Sequence, residues 1–381
     1  MNTNSYLCQF LAVHPQQWET LLWKDYRIRV KKDQSYAIFN YSFDCDFADP
    51  LVQEARGIIL DTQKLEVVCW PFRKFGNHNE SYADPIDWAS ARVLEKVDGS
   101  IIKLWYDSRK PGWQFSTNAT VRAESASVES FSELSFHDLI CRAENYGDIP
   151  FDVLDRDMTY IFELVSPSTQ VVVPYDRTML YHLGTRSNLT GRELDVDIGI
   201  CKPKMYPIHS LAECVETAVR LNQAGGEDIR AEGFVVVDGN WNRVKVKSPD
   251  YIAKHRLVQM KSIPKRECVQ MLLSGSAQTD AIMQVNPELI PLIKFYDYHL
   301  ARLKHLADRL GFLAKQLYEE YSHDRSAVAK VVQKHPLSWI AFQCMGSGRR
   351  GSEYLLQMPL EKICKLIPEY QEEDLSELFL E

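Results

Sequence analysis

The sequence lacks the features that mark membrane and secreted proteins. No apolar run in its 381 residues approaches the roughly 18 residues that a membrane-spanning helix needs. The N-terminus has no basic start followed by an apolar core, so we expect no signal peptide. Nine cysteines occur singly and never as a Cys-x-x-Cys pair, which argues against a disulfide framework or a zinc ribbon. We therefore expect a cytoplasmic protein in a reducing compartment, without a membrane partner.

An excess of positive charge is also missing. The net charge is −8, with 45% hydrophobic and 25% charged residues. This balance disfavours broad nonspecific adsorption to nucleic acid, but it leaves open a local basic groove inside an acidic protein. The composition is typical of a globular protein, and the length suits about two domains.

Two parts of the sequence differ in periodicity. Up to about residue 250, short runs rich in β-branched and aromatic residues predict strands. These runs are AIFNYSF, RGIILD, LEVVCWPF, IIKLWYD, TYIFELV, QVVVPYD, MLYHLG, EGFVVVDG and NRVKVK, with a hairpin turn at DGNWNR. Helices are predicted in about 122–145 and from the Ser210 capping box to before Gly225. Beyond about residue 255, helical spacing predicts helices in 264–273, 287–321, 326–343 and 358–366, and loops in 274–280 and 345–352.

Lys96 lies in the segment VLEKVDGSII (93–102), where the pattern otherwise predicts a buried strand. A half-buried lysine loses hydration, which lowers its pKa and makes the free amine available as a nucleophile. Asp98 and Gly99 then predict a turn that would hold this uncharged amine at the rim of a pocket. The alternative is an ordinary hairpin lysine that extends its ammonium group into solvent.

Other strand-like segments also carry charges where burial is expected. Glu163 lies within YIFELV, and Glu232 opens EGFVVV. Lys245 and Lys247 alternate in RVKVK, so both side chains face the same side of that strand. Buried acids and lysines are costly alone but tolerable together, or around a metal and a phosphate. A satisfied core ion pair would explain one such strand, whereas the ordered set indicates a phosphate-handling site.

In this order the segments resemble the motifs of covalent nucleotidyltransferases, the superfamily of DNA ligases, RNA ligases and mRNA capping enzymes. The resemblance is to the bacteriophage RNA ligase 1 family in particular. The matching segments are 96–100 (KVDGS), 162–165 (FELV), 179–184 (MLYHLG), 232–235 (EGFV) and 245–248 (KVKS). Two upstream segments, ARGII (55–59) and RKF (73–75), look like that family and less like DNA ligases. The resemblance runs from about residue 37 to 251 and covers over half of the chain.

The resemblance implies an α+β fold with two domains. Residues 1–255 would form a nucleotidyltransferase (ATP-grasp-like) domain of antiparallel sheets with flanking helices. Residues 256–381 would form an all-α domain, where capping enzymes and most DNA ligases carry a β-barrel. By analogy this domain docks RNA, and a cleaved tRNA is one candidate; a helical appendage of unknown purpose is the alternative. Its basic segment either meets phosphates or is a solvated face; the segment comprises Lys254, Arg256, Lys261, Lys265 and Arg266.

The resemblance also implies ATP-dependent joining of RNA, as in RNA repair. Lys96 would attack the α-phosphate of ATP, giving a lysyl–AMP and pyrophosphate. The AMP would then move to the 5′-phosphate of an RNA, and a 3′-hydroxyl end would displace it. Mg²⁺ or Mn²⁺ would screen the phosphates. The expected partner is RNA with 5′-phosphate and 3′-hydroxyl ends, and the expected state is a monomer, in a virus-infected cell if the phage resemblance extends to the host.

Roles follow for the cations and the acids. Because the α-phosphate gains charge in the transition state, fixed cations must be aimed at it, and Lys245 and Lys247 are the natural pair. By resemblance Arg56 and Lys74 reach the triphosphate or the RNA 5′-phosphate; each is otherwise an exposed charge. Three acids are assigned to a metal. Glu232 would contact it through water. Glu163 would contact either the metal or the ribose, and Asp98 would either help to hold the metal or orient Lys96.

The nucleoside should be held by an aromatic ring and by backbone groups. Phe75 or Phe234 would sandwich adenine, unless these rings belong to the core. The backbone of Glu95 would read the adenine edge, and Gly99 belongs to the nucleotide-binding turn. Tyr251 follows the last motif at a position that the family also fills with tyrosine, with helix packing as the alternative.

Two departures from the family pattern bear on phosphate binding. The family usually carries a lysine or arginine with glycine in a strand after Lys96, but residues 115–120 (FSTNAT) contain no basic side chain. Either Asn118 or Ser116 substitutes by hydrogen bonding, or that contact is absent. The second departure is Gly76, where the family often has a second aromatic residue.

Competing interpretations remain at this stage. A DNA ligase or a guanylyltransferase would share the motifs, but the missing barrel and the ARGII and RKF segments weigh against both. A noncatalytic RNA-binding protein on the same scaffold is the third possibility. The intact charged residues argue against it, because a decayed site should have lost at least one.

Overall fold

The computed structural model describes residues 4–42, 44–128, 131–222, 229–258, 263–275, 279, 282–283, 286 and 289–370. The chain divides into two compact units, Met1–His255 and Arg256–Glu381. All nine cysteines are free, as expected for a protein without a disulfide framework. Within the described ranges, no helix combines the length and apolar character needed to cross a membrane.

The first unit combines antiparallel strands with short helices, as predicted for an α+β fold. Its strands are β1 (Ile28–Asp33), β2 (Tyr36–Tyr41), β3 (Arg56–Asp61), β4 (Glu66–Cys69), β5 (Arg92–Glu95), β6 (Ser100–Asp107), β7 (Gly112–Thr117), β8 (Ser127–Val128), β9 (Phe131–Ser135), β10 (Met158–Val165), β11 (Met179–Ser187), β12 (Glu193–Leu194), β13 (Met205–Tyr206), β14 (Gly233–Val237) and β15 (Arg243–Lys247). Its helices are α1 (Tyr6–Val13), α2 (Trp18–Tyr26), α3 (Pro50–Glu54), α4 (Phe136–Cys141) and α5 (Leu211–Arg220), and α6 (Pro249–Val258) begins at its end.

The strands pair into sheets of order β1-β2-β3-β4, β12-β11-β10-β6-β7 and β13-β5-β14-β15, and β8 pairs with β9. Strand β10 is the central strand that TYIFELV predicted, and all but its first residue are buried. The first two sheets share an apolar layer, in which Ile38 and Ile59 from the first sheet pack with Trp105 from β6. The hairpin predicted at DGNWNR joins β14 to β15.

Some predicted elements are wrong, each for a local reason. The run QVVVPYD is not a strand, because the amides of Val172 and Val173 donate to the Asp98 carboxylate instead of to a sheet. The helix predicted in 122–145 is reduced to α4, which Ser135 caps with Asp138 after the β8–β9 pair. Helices α1 and α2 were not predicted; α1 (YLCQFLAV) is apolar on most sides and shows no amphipathic stripe. Ser210 caps α5 as predicted, but Gly225 lies outside the described residues.

In the described part of the second unit every element is a helix. These are α7 (Lys265–Ser274), α8 (Ile290–Glu320), α9 (Arg325–Val332), α10 (Ser338–Cys344), α11 (Gly351–Leu355) and α12 (Leu360–Leu366). The predicted helix 326–343 is two helices, and the predicted loop 345–352 ends in α11; most of the loop predicted at 274–280 lies outside the described residues. Helix α11 lies directly against α8, since a Cβ at Gly351 would stand 1.9 Å from the carbonyl oxygen of Ala307.

Candidate active site

Lys96 directly follows β5, and the neighbouring strand β14 fixes its backbone. The Lys96 amide donates to the Gly233 carbonyl at 2.9 Å. Across β14, Gly233 pairs with Lys247 and Val235 pairs with Lys245. Because alternate residues of a strand face the same side, the two lysines of β15 project together, as their spacing predicted.

The turn after Lys96 is anchored by the carboxylate of Asp98, which is buried. One oxygen accepts hydrogen bonds from the amides of Val172 and Val173 at 2.9 and 2.8 Å. The other accepts from the hydroxyl of Tyr251 at 2.7 Å. Since the protein engages both oxygens, the geometry favours the orienting role of Asp98 over the predicted metal contact. Tyr251 acts as a strut for this turn and is itself buried.

Gly99 brings the same turn against β10. A Cβ at this position would stand 2.3 Å from the carbonyl oxygen of Leu164, so only glycine fits. Its amide donates to Oε1 of Glu163 at 3.2 Å. The close approach therefore sets the Glu163 carboxylate beside the Lys96 turn.

The carboxylate of Glu232 is shared by two ammonium groups. Lys96 Nζ donates to Oε2 at 2.6 Å, and Lys247 Nζ lies 2.8 Å from Oε1. The Glu232 side chain is 3% exposed, whereas each lysine side chain is 22% exposed. Burial alone would raise the pKa of Glu232, but the attraction of Lys96 and Lys247 outweighs it, and the net pKa is lowered. Glu232 is thus an anion that bridges two cations.

This bridge contradicts the prediction that Lys96 rests as an uncharged amine. Burial acts to lower the pKa of Lys96, as the sequence argument assumed. The carboxylates of Glu232, Glu163 and Asp98 act in the opposite direction, and the net pKa is raised. The amine is therefore an ammonium in this state, and it must give up a proton before it can attack an electrophile.

Glu163 is 7% exposed, and burial raises its pKa to about 7, although the charge of Lys96 opposes the change. Its protonated and ionised forms are therefore close in free energy at neutral pH. Glu163 differs in this respect from Glu232, which stays ionised. Two carboxylates with different protonation behaviour thus flank one lysine.

A cavity of about 190 Å³ opens over Lys96. Its walls include Phe75, Arg56 and Lys245, together with Glu95 and Lys96. The guanidinium of Arg56 lies 5.5 Å and the ammonium of Lys245 5.3 Å from the centre of the Phe75 ring. An aromatic face and fixed cations on one cavity are the features that a nucleobase and its phosphates require.

Phe234, the other candidate for adenine stacking, faces away from this cavity. It is fully buried in the cluster that packs behind β14, with its ring 5.0 Å from that of Tyr206. Its neighbour Val235 lines the cavity instead. The prediction for Phe234 is wrong because successive strand residues face opposite sides, and Phe234 lies on the other side from Lys245.

The pKa of Lys245 lies close to neutral pH. Burial and the charges of Lys74 and Arg56 together lower its pKa to about 7. No acid among its described neighbours is paired with it as Glu232 is with Lys247. An incoming anion would therefore both bind Lys245 and stabilise its charged form.

Lys74 lies beside the cavity, among aromatic rings. Its ammonium is 4.8 Å from the ring centre of Phe47, 5.7 Å from that of Tyr41 and 5.9 Å from that of Tyr82. Burial lowers the pKa of Lys74, partly offset by Glu80. Its predicted phosphate contact stays a prediction.

A second cavity, of about 580 Å³, adjoins the first and shares Arg56, Lys96 and Glu163 with it. Asn118 lines this cavity, whereas Ser116 is fully buried and bonds to the backbone of β6. Of the two proposed substitutes for the missing basic residue, only Asn118 can therefore meet a ligand there.

Sequence reasoning missed several cavity residues. Arg243 is nearly buried, pairs with Glu193 at 2.6 Å and lies 4.2 Å from the Phe72 ring centre. It alternates with Lys245 and Lys247 in RVKVK, so the rule that found the lysines could have found it. The apolar residues of the cavity wall could not be predicted without the order of the strands in the sheets. They are Leu94, Val97, Ile101, Leu183, Pro203 and Val235.

The carboxylates can be tested for a divalent ion. The described residues contain no group of three or more histidine, cysteine, aspartate or glutamate side chains that could hold a metal on its own. Mg²⁺, however, commonly binds through one or two carboxylates, water and substrate phosphates. Glu163, which lines the cavity, fits that arrangement, so a metal would enter with the nucleotide rather than occupy a protein cage. Both oxygens of Glu232 are engaged by Lys96 and Lys247, so the predicted metal contact of Glu232 through water stays a prediction.

Comparison with known proteins identifies the family. The sequence model described as RNA ligase matches residues 54–251, just over half of the chain. The chain belongs to this RNA ligase family.

The chain is also similar to individual proteins. The chain is 29% identical over 296 residues to a candidate bifunctional polynucleotide kinase/RNA ligase of Autographa californica nuclear polyhedrosis virus, covering 71% of this chain but only 40% of that protein. It is 21% identical over 397 residues to an RNA ligase of Rhodothermus phage RM378, covering 86% of this chain and 89% of that one. Among solved structures it is similar to an archaeal ATP-dependent RNA ligase, with 12% identity, a TM-score of 0.42, and coverage of 71% of this chain and 69% of that one.

Proposed function

We propose that this protein is an ATP-dependent RNA ligase that joins 5′-phosphate and 3′-hydroxyl ends through a lysyl-AMP on Lys96. The observation that carries the proposal is the position of Lys96 Nζ. It lies 2.6 Å from the buried Glu232, beneath a cavity that also contains Phe75, Arg56 and Lys245.

Two features of the first cavity support ATP as its ligand. Phe75 and the apolar wall would accept the adenine ring, and Glu95 lines the same cavity, with its amide donating to the Lys204 carbonyl at 2.7 Å. Arg56, Lys245 and Lys247 surround the region above Lys96 and attract the phosphates. Lys245 gains its full charge as the anion arrives, because its pKa in the free protein is about 7. The positive charge of the site would thus increase when the nucleotide binds.

In the first step, the Lys96 amine attacks the α-phosphorus. A bond forms between Nζ and phosphorus, the bond to the bridging oxygen breaks, and pyrophosphate leaves with the electron pair. Lys96 must first lose a proton, and the Glu232 carboxylate is the acceptor in direct contact with it. Lys247, on the other oxygen of Glu232, holds that carboxylate in place.

A divalent ion bound with the nucleotide supplies positive charge to the phosphates. Glu163 would hold it directly and Glu232 through water, because both Glu232 oxygens are engaged by lysines. The positive charge would also oppose protonation of Glu163, whose pKa is about 7 without it. The ion therefore reinforces the ionised form of the acid that binds it.

The later steps transfer the AMP to an RNA 5′-phosphate and then release it on attack by a 3′-hydroxyl. The second cavity, lined by Arg56, Asn118 and Glu163, is the space next to Lys96 that an RNA end can enter. Arg56 serves both cavities, so the same guanidinium can attend the triphosphate first and the RNA phosphate later.

The helical unit contains a groove suited to single-stranded RNA. It is lined by Trp339 and Tyr354 and by Lys362 and Lys365, which lie three residues apart on one face of α12. Aromatic rings that stack on bases, beside cations that meet phosphates, are typical of single-strand binding surfaces. The basic segment predicted for this role is weaker, because Lys265 is already engaged by the Ile367 carbonyl and by Glu369.

The test is covalent labelling followed by joining. The purified chain with Mg²⁺ and α-labelled ATP should gain one AMP on Lys96, identified by peptide mass, and GTP should give none. Lys96→Ala should abolish the label. Labelling by GTP would identify a guanylyltransferase, and no labelling with intact RNA binding would identify a noncatalytic binder.

The substrate class is decided by a parallel comparison. Single-stranded RNA with a 5′-phosphate, a nicked DNA duplex and a cleaved tRNA are offered to the adenylylated protein. We expect the RNA ends to be joined and the DNA nick to be left open. Preferential sealing of the nick would overturn the RNA ligase assignment in favour of a DNA ligase, and a preference for the cleaved tRNA would support tRNA repair.

A further inference from the structure

One buried charge has no part in the chemistry described above. Lys103, on β6, is fully buried. Its ammonium donates to the carbonyl oxygen of Gly57 at 2.6 Å. The charged or titratable groups that act on it are Cys69 and Arg56, and no ion pair with an acid is formed by it within the described residues. Burial lowers the pKa of Lys103 to about 8, so the ammonium form still prevails at neutral pH.

Packing does not explain this ammonium group. An unpaired buried cation is costly, and a methionine would fill nearly the same volume without that cost. Along the same face of β6, Ile101 lines the cavity and Trp105 belongs to the apolar layer between the sheets. Lys103 stands between them, where the apolar layer ends and the active-site cavities begin.

Its hydrogen-bond partner, Gly57, forms a β-bulge in β3. Ile58 pairs with Phe39 and Arg56 pairs with Asn40, so Gly57 is the extra residue. Its φ of 77° lies in the left-handed region that favours glycine. A bulge leaves backbone groups without partners in the sheet and re-aims the neighbouring side chain. Lys103 satisfies the carbonyl that this bulge turns away from the sheet.

The side chain that the bulge re-aims is Arg56. Ile58 and Leu60 belong to the core that faces α1 and α2, and Ile59 belongs to the layer facing β6. Strict alternation would put Arg56 with Ile58 and Leu60, away from the active site. With the extra residue, Arg56 instead lines both cavities next to Lys96.

We propose that Lys103 is a positioning residue for the ligase reaction: by holding the Gly57 bulge, it aims the Arg56 guanidinium at the phosphate groups that Lys96 acts on. The proposal rests on the proposed function, because Arg56 has a phosphate to contact only if the site handles ATP and RNA ends. Asn118 packs against the same bulge, with its Oδ1 3.0 Å from where a Gly57 Cβ would be, next to Lys103 Nζ at 2.8 Å. Two side chains thus contact the bulge.

The test is a double-mutant cycle between Lys103→Met and Arg56→Ala in the full chain. Single-turnover rates are measured for label transfer from ATP and for joining of chemically pre-adenylylated RNA. Arg56→Ala defines which step needs the guanidinium. Lys103→Met should slow the same step by a similar factor, of the order of 10²-fold, because misplacement by about 1 Å costs that much. In the Arg56→Ala background it should add less than about threefold.

Controls separate positioning from stability. Trp105→Phe alters the neighbouring position on the same face of β6, and it should lower the melting temperature without changing the ratio of the two rates. Gly57→Ala forces a Cβ to within 2.8 Å of Lys103 Nζ and should reproduce the Lys103→Met defect. If Lys103→Met proves insoluble, the Gly57→Ala and Arg56→Ala cycle gives the same test.

The proposal is overturned if Lys103→Met leaves both rates unchanged at temperatures where the variant is folded. It is also overturned if the loss of rate in the double variant equals the product of the losses in Lys103→Met and Arg56→Ala. Neither result affects the proposed function, which the wild-type chain tests separately. A wild-type chain that takes up no AMP would instead remove the proposed function itself.

Discussion

Nucleotide binding should take up a proton at Lys245. Burial and the neighbouring cations hold the pKa of this side chain at about 7. At pH 8 only about one Lys245 in ten therefore carries a proton in the free protein. A phosphate charge about 4 Å away contributes roughly 4 kcal/mol at an effective dielectric constant of about 20. That energy raises the pKa by about three units, so Lys245 in the complex should be almost fully charged.

The expected uptake is about 0.9 proton per nucleotide at pH 8, and it falls toward zero at pH 6, where Lys245 is already charged in the free protein. The assay is isothermal titration calorimetry with a non-transferable α,β-methylene ATP analogue and fixed Mg²⁺. The slope of the observed enthalpy against the ionisation enthalpy of the buffer gives the number of protons. The analogue keeps Lys96 unreacted, so chemistry does not contribute to the signal.

Lys245→Arg is the matched control, because arginine stays charged in both states. It should keep nucleotide affinity while losing most of the uptake at pH 8. Glu163→Gln identifies any contribution from the other group whose pKa is about 7. Uptake that is unchanged in Lys245→Arg, or that is absent from the wild-type protein at pH 8, would refute the reasoning.

Further outcomes follow from the geometry around Lys96. Phe75→Ala should weaken binding of the same analogue by about tenfold or more through lost stacking, with little change in melting temperature. Phe234→Ala should instead lower the free energy of unfolding by about 3–5 kcal/mol in a denaturant titration. Equal effects of the two substitutions on nucleotide affinity would contradict the assignment of Phe75 to stacking and Phe234 to the core. Tyr251→Phe removes one hydrogen bond to the Asp98 carboxylate, worth about 1.5–3 kcal/mol. It should slow label transfer less than Asp98→Ala, which removes all three hydrogen bonds to this carboxylate. The reverse order of the two rates would show that the turn is not held through Asp98. Lys96→Arg should keep the contact with Glu232 and the melting temperature within a few degrees but give no AMP adduct by mass spectrometry, and any adduct would place the nucleophile elsewhere.

The parts of the site that the sequence could predict are those governed by strand periodicity. The alternation in RVKVK put Lys245 and Lys247 on one side, and the carboxylate inside YIFELV marked the central strand β10. The same rule would have added Arg243. Which side faced the cavity could not be read locally, because it depends on the order of the sheet, and Phe234 was therefore misassigned.

Properties that arise from distant contacts were out of reach. The protonation of Lys96 is set by Glu232, which lies far along the chain, so burial alone gave the wrong direction for the pKa. The run QVVVPYD has strand composition, but its amides serve Asp98 instead of a neighbouring strand. The bulge at Gly57 depends on Lys103, and nothing in the ARGII segment by itself indicates such a partner.

Because of the Glu232 bridge, the net charge of the active site would depend on whether the proposed adduct has formed. Before reaction, Lys96, Glu232 and Lys247 together carry one net positive charge. After the proposed adduct forms and the proton taken up by Glu232 has passed to solvent, Nζ is neutral, the charges of Glu232 and Lys247 cancel, and the attached phosphate contributes a negative charge. In the proposed reaction these three residues would thus attract a polyphosphate before the adduct forms and repel it afterwards, which would disfavour reversal by pyrophosphate. An RNA 5′-phosphate approaching the proposed adduct would then need a compensating cation, and Arg56 lines both cavities.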